Sequence, residues 1–148
     1  MKNIIFVCHG NICRSVAAEF IMKDLLNKMH LENEYNVISR AVSLEEIGND
    51  IYPPMKKELY KQGIPFSKHQ AQRITKQDYD WADVIYYMDN SNLNYLNRLL
   101  VDVENKIKPI YQYTPFISYI EDPWYTDRYD KVIKELTICI KNIINNLK

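Results

Sequence analysis

The chain has no long apolar run, and its N-terminus lacks the apolar core and small-residue cleavage site of a secretory leader. A membrane span or export is therefore not expected, and a cytoplasmic location is. Net charge is also missing. Nineteen basic residues balance 19 acidic ones at a pI of about 6.8, so no global field recruits nucleic acid or an anionic membrane. Cysteine is sparse: three in 148 residues, an odd number that fits a reducing compartment better than a disulfide scaffold. Cys8, His9 and Cys13 cluster in sequence, but Cys139, His30 and His69 supply no second ligand pair at zinc-finger spacing, so no metal is expected. Repeats and low-complexity linkers are absent too. What is present is a 47% hydrophobic chain that can bury one core and is too short for two ordinary domains, so residues 1–148 are read as a single domain. The basic pair Lys56-Lys57 reads as a solvated helix face.

Hydrophobic patterning predicts strands at Ile4 to Val7, Tyr35 to Ser39, Val84 to Met88 and Lys106 to Ile110. It predicts helices at Ser15 to Met29, Pro54 to Gln62 with Gly63 ending it, Asn90 to Leu100, and Asp127 to Leu147. In the first helix Ala18, Met22, Leu25 with Leu26, and Met29 recur at helical steps. In the last, Val132, Leu136, Ile140, Ile143 and Leu147 share a face. Short strands alternating with helices give an α/β fold: a three-layer α/β/α domain with a central four-stranded parallel sheet, whose ligand loop follows the first strand.

That loop is the most informative stretch. Cys8-His9-Gly10-Asn11-Ile12-Cys13-Arg14-Ser15 places a cysteine and an arginine with five residues between them, between a strand and a helix N-terminus. Unpaired N–H groups and the positive end of the helix dipole can hold a tetrahedral anion there. Gly10 is expected to take positive φ where the loop curls, and Asn11 tolerates left-handed backbone and can tie the loop with its side chain. Arg14 offers a planar fork for two phosphoryl oxygens. Ser15 can cap the helix or donate to the Cys8 sulfur. Cys8, beside a guanidinium and at a helix N-terminus, is expected to be a thiolate at neutral pH.

A cysteine that displaces an oxygen leaving group needs an acid to protonate it. Ile120-Glu121-Asp122-Pro123-Trp124-Tyr125 reads as a loop in which Pro123 stiffens the position after Asp122, with Trp124 and Tyr125 as flat faces beside it. By itself an Asp-Pro pair is an ordinary turn signal.

Together the loop, Met88-Asp89-Asn90-Ser91-Asn92 and Asp122-Pro123-Trp124-Tyr125 resemble the low-molecular-weight protein tyrosine phosphatase family over essentially the whole chain. The resemblance implies a phosphomonoester hydrolase, active also on small aryl phosphates in the manner of an acid phosphatase. In it Cys8 forms a cysteinyl-phosphate, Arg14 and the loop amides stabilise the equatorial oxygens, and Asp122 serves as acid and then base. It implies substrate contacts from His9, Gly10, Asn11, Ile12, Cys13, Trp124 and Tyr125, and a supporting network of Asn11, Ser15, Ser39 and His69. Asp89 and Asn92 are read as structural support. No cofactor is implied, and the partners are phosphotyrosine proteins or small aryl phosphates. The chain is expected to be a monomer, with weak self-association through Trp124 and Tyr125 left open. An acid-side pH optimum follows from the need for a protonated Asp122. Cys13 could trap oxidised Cys8 as a reversible disulfide.

The chain departs from the family pattern in places. Val16 replaces the usual proline after the loop, the stretch after the second strand is Ser39-Arg40-Ala41-Val42, His9 fills the variable loop position, and Glu45 stands where many relatives carry an aromatic cleft residue. Thioredoxin-coupled arsenate reductases share loop and fold, but the region from Asp78 to Trp124 carries no relay cysteine. Protein arginine phosphatases tend to have threonine where Ile12 stands, which points to phosphotyrosine. A catalytically idle phosphate-binding module is the different-class alternative, and intact Cys8, Arg14 and Asp122 oppose it.

Overall fold

Ile4, Ile5, Phe6 and Val7 are all fully buried, as an unbroken apolar run requires when both faces of a strand are covered. In the computed structural model, which describes residues 1–147, this strand is β1 (Lys2–Cys8). It pairs in parallel with β2 (Tyr35–Ala41) on one side and β3 (Val84–Tyr87) on the other, and β3 pairs in parallel with β4 (Ile107–Pro109). The resulting order is β2-β1-β3-β4.

Alternation along β1 splits the core into two layers. Ile4 and Phe6 pack with residues of α1 (Arg14–Lys28), α2 (Pro53–Lys61) and α6 (Tyr129–Leu147). Ile5 and Val7 pack with Tyr79 of α3 (Lys76–Trp81) and Leu96 of α4 (Asn90–Leu99). The α/β/α architecture and its parallel four-stranded sheet match the expected fold. On α6, Val132, Leu136, Ile140 and Ile143 are buried as expected. On α1, Met29 lies past the helix end and is 37% exposed, so the predicted face stops a turn early, at Leu26.

Most boundaries move by one or two residues, the usual uncertainty at element ends. β3 stops before Met88 because the Met88 N–H is taken by Asn92 Oδ1 at 3.0 Å. Two helices were not anticipated. α3 begins with a capping box: Thr75 accepts the Asp78 N–H, and Asp78 accepts the Thr75 N–H. The Asp122–Tyr125 segment is no loop, since Pro123–Thr126 forms the single-turn helix α5 with Asp122 as its N-cap. Asp127, the expected first residue of the last helix, has a φ of 61° and ends α5, so α6 begins at Tyr129. Among the described residues no helix is long and apolar enough to cross a membrane.

Candidate active site

The strand order reverses between β1 and β3, and Cys8 ends β1 at that switch point. The loop that follows is fixed by its carbonyls. Those of Cys8 and His9 accept the N–H groups of Val42 and Ser43 at 3.0 and 3.1 Å, and that of Ile12 accepts the Tyr52 N–H at 2.9 Å. The Asn11 carbonyl lies 2.7 Å from His69 Nε2. A trans peptide sends its C=O and N–H in opposite directions. Four carbonyls turned outward therefore turn the N–H groups of His9, Gly10, Ile12 and Cys13 toward the inside of the loop. The Asn11 N–H reaches the Cys8 sulfur there, at 3.3 Å. The result is a cradle of main-chain donors, continued by the N-terminus of α1, whose N-cap residue Cys13 makes no side-chain capping bond.

The strained residue is Asn11, with a φ of 61°, whereas Gly10 is not left-handed, contrary to expectation. Gly10 serves close approach instead: a Cβ there would stand 3.1 Å from the Glu46 Cγ. Asn11 is completely buried, and its side chain organises the site. Its Nδ2 donates to Ser15 Oγ at 2.8 Å and to Ser39 Oγ at 2.9 Å, and its Oδ1 accepts the Gln72 N–H at 3.2 Å. These bonds have direction. Ser39 accepts from Asn11 and donates to Glu19 Oε1 at 2.7 Å. Ser15 Oγ accepts from Asn11 and lies 3.1 Å from Cys8 Sγ, so its hydroxyl can donate to the sulfur once Cys8 is a thiolate. Ser15 thus serves the sulfur and does not cap the helix. A carbonyl can only accept, so His69 carries its proton on Nε2. The His69 N–H donates in turn to Asp50 Oδ1 at 3.0 Å, and Asp50 is paired with Lys56 at 2.8 Å. The Lys56 bond, aided by the Ile51 and His69 N–H groups and opposed by burial, holds the Asp50 carboxyl down at about 2. Lys56 is therefore a brace for the loop, not a merely solvated lysine.

Arg14 is almost wholly buried. Its Nη1 donates to Asp89 Oδ2 at 2.7 Å and to the Ile120 carbonyl at 2.8 Å. Burial opposes its charge, but Cys8, Asp89 and Asp122 hold its pKa above the ordinary value. Asp89 touches the arginine directly, and Asn92 accepts the Met88 N–H and donates its own to Asp89. Asp122 uses Oδ1 to accept the Trp124 N–H at 3.0 Å, while Oδ2 lies 3.7 Å from Arg14 Nη2. Asp122 is anchored from behind. Its neighbour Glu121, 6% exposed, accepts from Arg128 at 2.9 Å and from Lys131 at 2.7 Å. Burial opposes the ionised carboxylate, but hydrogen bonds from Lys131, Thr126 and Arg128 prevail and hold the Glu121 carboxyl at about 2.

Cys8, Gly10, Ile12, Cys13 and Arg14 floor a cleft of about 300 Å³. Its walls are His9, Glu45, Glu46, Asp122, Trp124 and Tyr125. The two loop cysteines are chemically unequal. Burial, reinforced by the charges of Cys8 and Asp122, pushes the Cys13 thiol well above its ordinary value. A neutral buried thiol is unreactive. Among the described residues no group of three or more His, Cys, Asp or Glu side chains is placed to hold a metal ion.

All the residues singled out from the sequence meet here: Cys8 to Ser15, Asp122, Trp124 and Tyr125 at the cleft and its loop, Ser39 and His69 behind it. Glu19, Asp50, Lys56, Gln72, Glu46 and Glu121 were missed. Only Glu121 adjoined a recognisable motif, and the others look in sequence like ordinary polar surface.

Residues 3–148 match the family model described as low molecular weight phosphotyrosine protein phosphatase. The human low molecular weight phosphotyrosine protein phosphatase is 39% identical over 133 residues, covering 87% of this chain and 84% of its own. The low molecular weight protein-tyrosine-phosphatase YfkJ of Bacillus subtilis is 34% identical over 136 residues, covering 89% and 86%. The crystal structure of YfkJ superposes with a TM-score of 0.94 at 29% identity, over 99% of this chain and 94% of that one. The cradle, the buried arginine and the aspartate facing it thus stand in a chain that belongs to the low molecular weight phosphotyrosine protein phosphatase family.

Proposed function

We propose that the protein hydrolyses phosphotyrosine in proteins, and small aryl phosphates, in two steps through a cysteinyl-phosphate. The Cys8 sulfur attacks phosphorus as the P–O bond to the phenol breaks, and Asp122 gives the leaving oxygen its proton. Asp122, now a carboxylate, then takes a proton from water as that water attacks phosphorus and the S–P bond breaks, releasing phosphate and restoring Cys8. The inward N–H groups and Arg14 bind the equatorial oxygens throughout, where preorganised donors count most. Neither step needs a cofactor.

The observation that carries this reading is the geometry around Cys8. Ser15 Oγ lies 3.1 Å from the sulfur and the Asn11 N–H donates to it, within a cradle of main-chain donors, and Asp122 lines the same cleft. A reductase relay finds no support, since Cys139 is fully buried in α6 among core residues. The deep floor and the Trp124 and Tyr125 walls favour the long phenol of phosphotyrosine over phosphoserine. We assign the protein to the cytoplasm, which its three free cysteines support, and to a monomeric state, with weak self-association through exposed Trp124 and Tyr125 as the alternative.

The test is phosphate release from matched phosphotyrosine, phosphoarginine and phosphoserine peptides. Phosphotyrosine is expected to dominate, with Cys8→Ser inactive and Asp122→Ala slowed by about 10² to 10⁴. Dominant phosphoarginine turnover, or retained activity in Cys8→Ser, would sink the assignment.

A further inference from the structure

The cleft wall differs in charge from its floor. Of the residues that line the cleft, Arg14 is the only lysine or arginine, and it is buried at the floor against Asp89. Around the mouth stand three carboxylates, those of Glu45, Glu46 and Asp122. Two of them are held against the phosphate loop. Glu45, 69% exposed, is bonded to His9 Nε2 at 2.8 Å, and the His9 ring is braced edge-on against Tyr95 at 5.3 Å. Glu46 lies on Gly10, with its Cγ 3.1 Å from the position a Cβ would take, and its Oε2 accepts from Asn49 at 2.7 Å. Among the described residues neither carboxylate has a lysine or arginine partner.

A peptide entering with its phosphotyrosine on the floor must lay its flanking residues over this mouth. Each acidic flanking side chain then meets fixed carboxylates of like sign, and each basic one meets an acceptor. Specificity of this kind comes as much from the repulsive partner as from the attractive one. The chain as a whole carries no net charge to counter the local field. Exposed Leu44 and Ile47 flank the two glutamates and offer contact for the aliphatic stems of lysine and arginine.

Resting on the phosphotyrosine reading above, we infer that Glu45 and Glu46 are specificity-determining residues that select phosphotyrosine flanked by lysine or arginine and reject phosphotyrosine in acidic sequences. The phosphate is bound by the floor in either case, so the discrimination lies in the flanks.

The experiment compares kcat/KM for phosphotyrosine peptides that differ only in carrying lysine, glutamine or glutamate on both sides of the phosphotyrosine. Each value is divided by the same enzyme's rate on para-nitrophenyl phosphate, which has no flanks. At low salt the lysine peptide is expected to exceed the glutamate peptide by about tenfold, and the ratio is expected to shrink as salt screens exposed charges. In the Glu45→Gln/Glu46→Gln double variant, folded by circular dichroism, the ratio is expected to fall to about twofold or less, because glutamine keeps the size and the hydrogen bonds but loses the charge. Equal use of the three peptides by the parent enzyme, or an unchanged ratio in the double variant, overturns the inference. No turnover of any phosphotyrosine peptide alongside turnover of phosphoarginine would instead be a failure of the phosphotyrosine reading itself.

Discussion

Asn11 and Trp124 serve opposite sides of one cleft and are built in opposite ways. Asn11 is fully buried and makes three side-chain hydrogen bonds, with its carbonyl bound as well. Trp124 is 56% exposed and packs against a single ring, that of Tyr52, at 5.1 Å. The floor is over-determined: the carbonyls of Cys8, His9, Asn11 and Ile12 and the Asn11 side chain are held by β2, by the segment after it, by His69 or by Gln72. The rim rests on single contacts. The phosphate loop is thus tied into the core of the fold, whereas the rim can change without disturbing it.

The largest effect that tests this contrast is expected at Arg14. Arg14→Lys keeps a positive charge but cannot bridge Asp89 and the Ile120 carbonyl while presenting a fork to phosphate, so kcat/KM should fall by about 10² to 10³. Steady-state kinetics on a small aryl phosphate measures this, and a loss below threefold would mean the floor tolerates more than its bonding suggests. Next comes Asn11→Ala, which removes the donor to Ser15 and Ser39, orphans the Gln72 N–H and puts alanine at a left-handed position. It should cost about 2–3 kcal/mol in urea unfolding and slow turnover as well. Stability near that of the parent would remove the claim that this network holds the loop.

Glu121 separates floor from rim through pH. Its folded pKa of about 2 lies below the ordinary 4.5, so the stability it contributes is present above about 4.5 and is lost as pH falls toward 2. Glu121→Gln should flatten the acid limb of thermal unfolding in that window, and an unchanged limb would show that its pairs with Arg128 and Lys131 contribute nothing. The smallest effect is expected at the rim: Trp124→Ala should raise KM for a phosphotyrosine peptide by about three- to tenfold with kcat within about twofold. A collapse of kcat would move Trp124 from wall to chemistry.

Legibility from sequence followed the same division. The loop was readable because its eight residues are contiguous and each type has a local reason to be there. The sheet was readable from short apolar runs and the long helices from periodicity. Asp122 was readable only through the resemblance, since Asp-Pro is a common turn and α5 is a single turn with no periodicity to detect. Glu19, Asp50, Lys56 and Gln72 were not readable. They are polar residues in surface-like patterns, and their importance arises only when distant segments fold onto Asn11. The positive φ went to Asn11 and not Gly10 for a similar reason: the Asn11 side chain has partners across the fold that stabilise the left-handed backbone, and Gly10 has a neighbour to accommodate.

The outward-facing carbonyls of the phosphate loop have a bearing on descent. Donors supplied by peptide groups persist through any substitution that leaves the backbone path alone. The side chains at His9 and Ile12 can therefore drift, acquire a charge or lose one, and re-aim the enzyme at new substrates while the anion cradle is inherited intact.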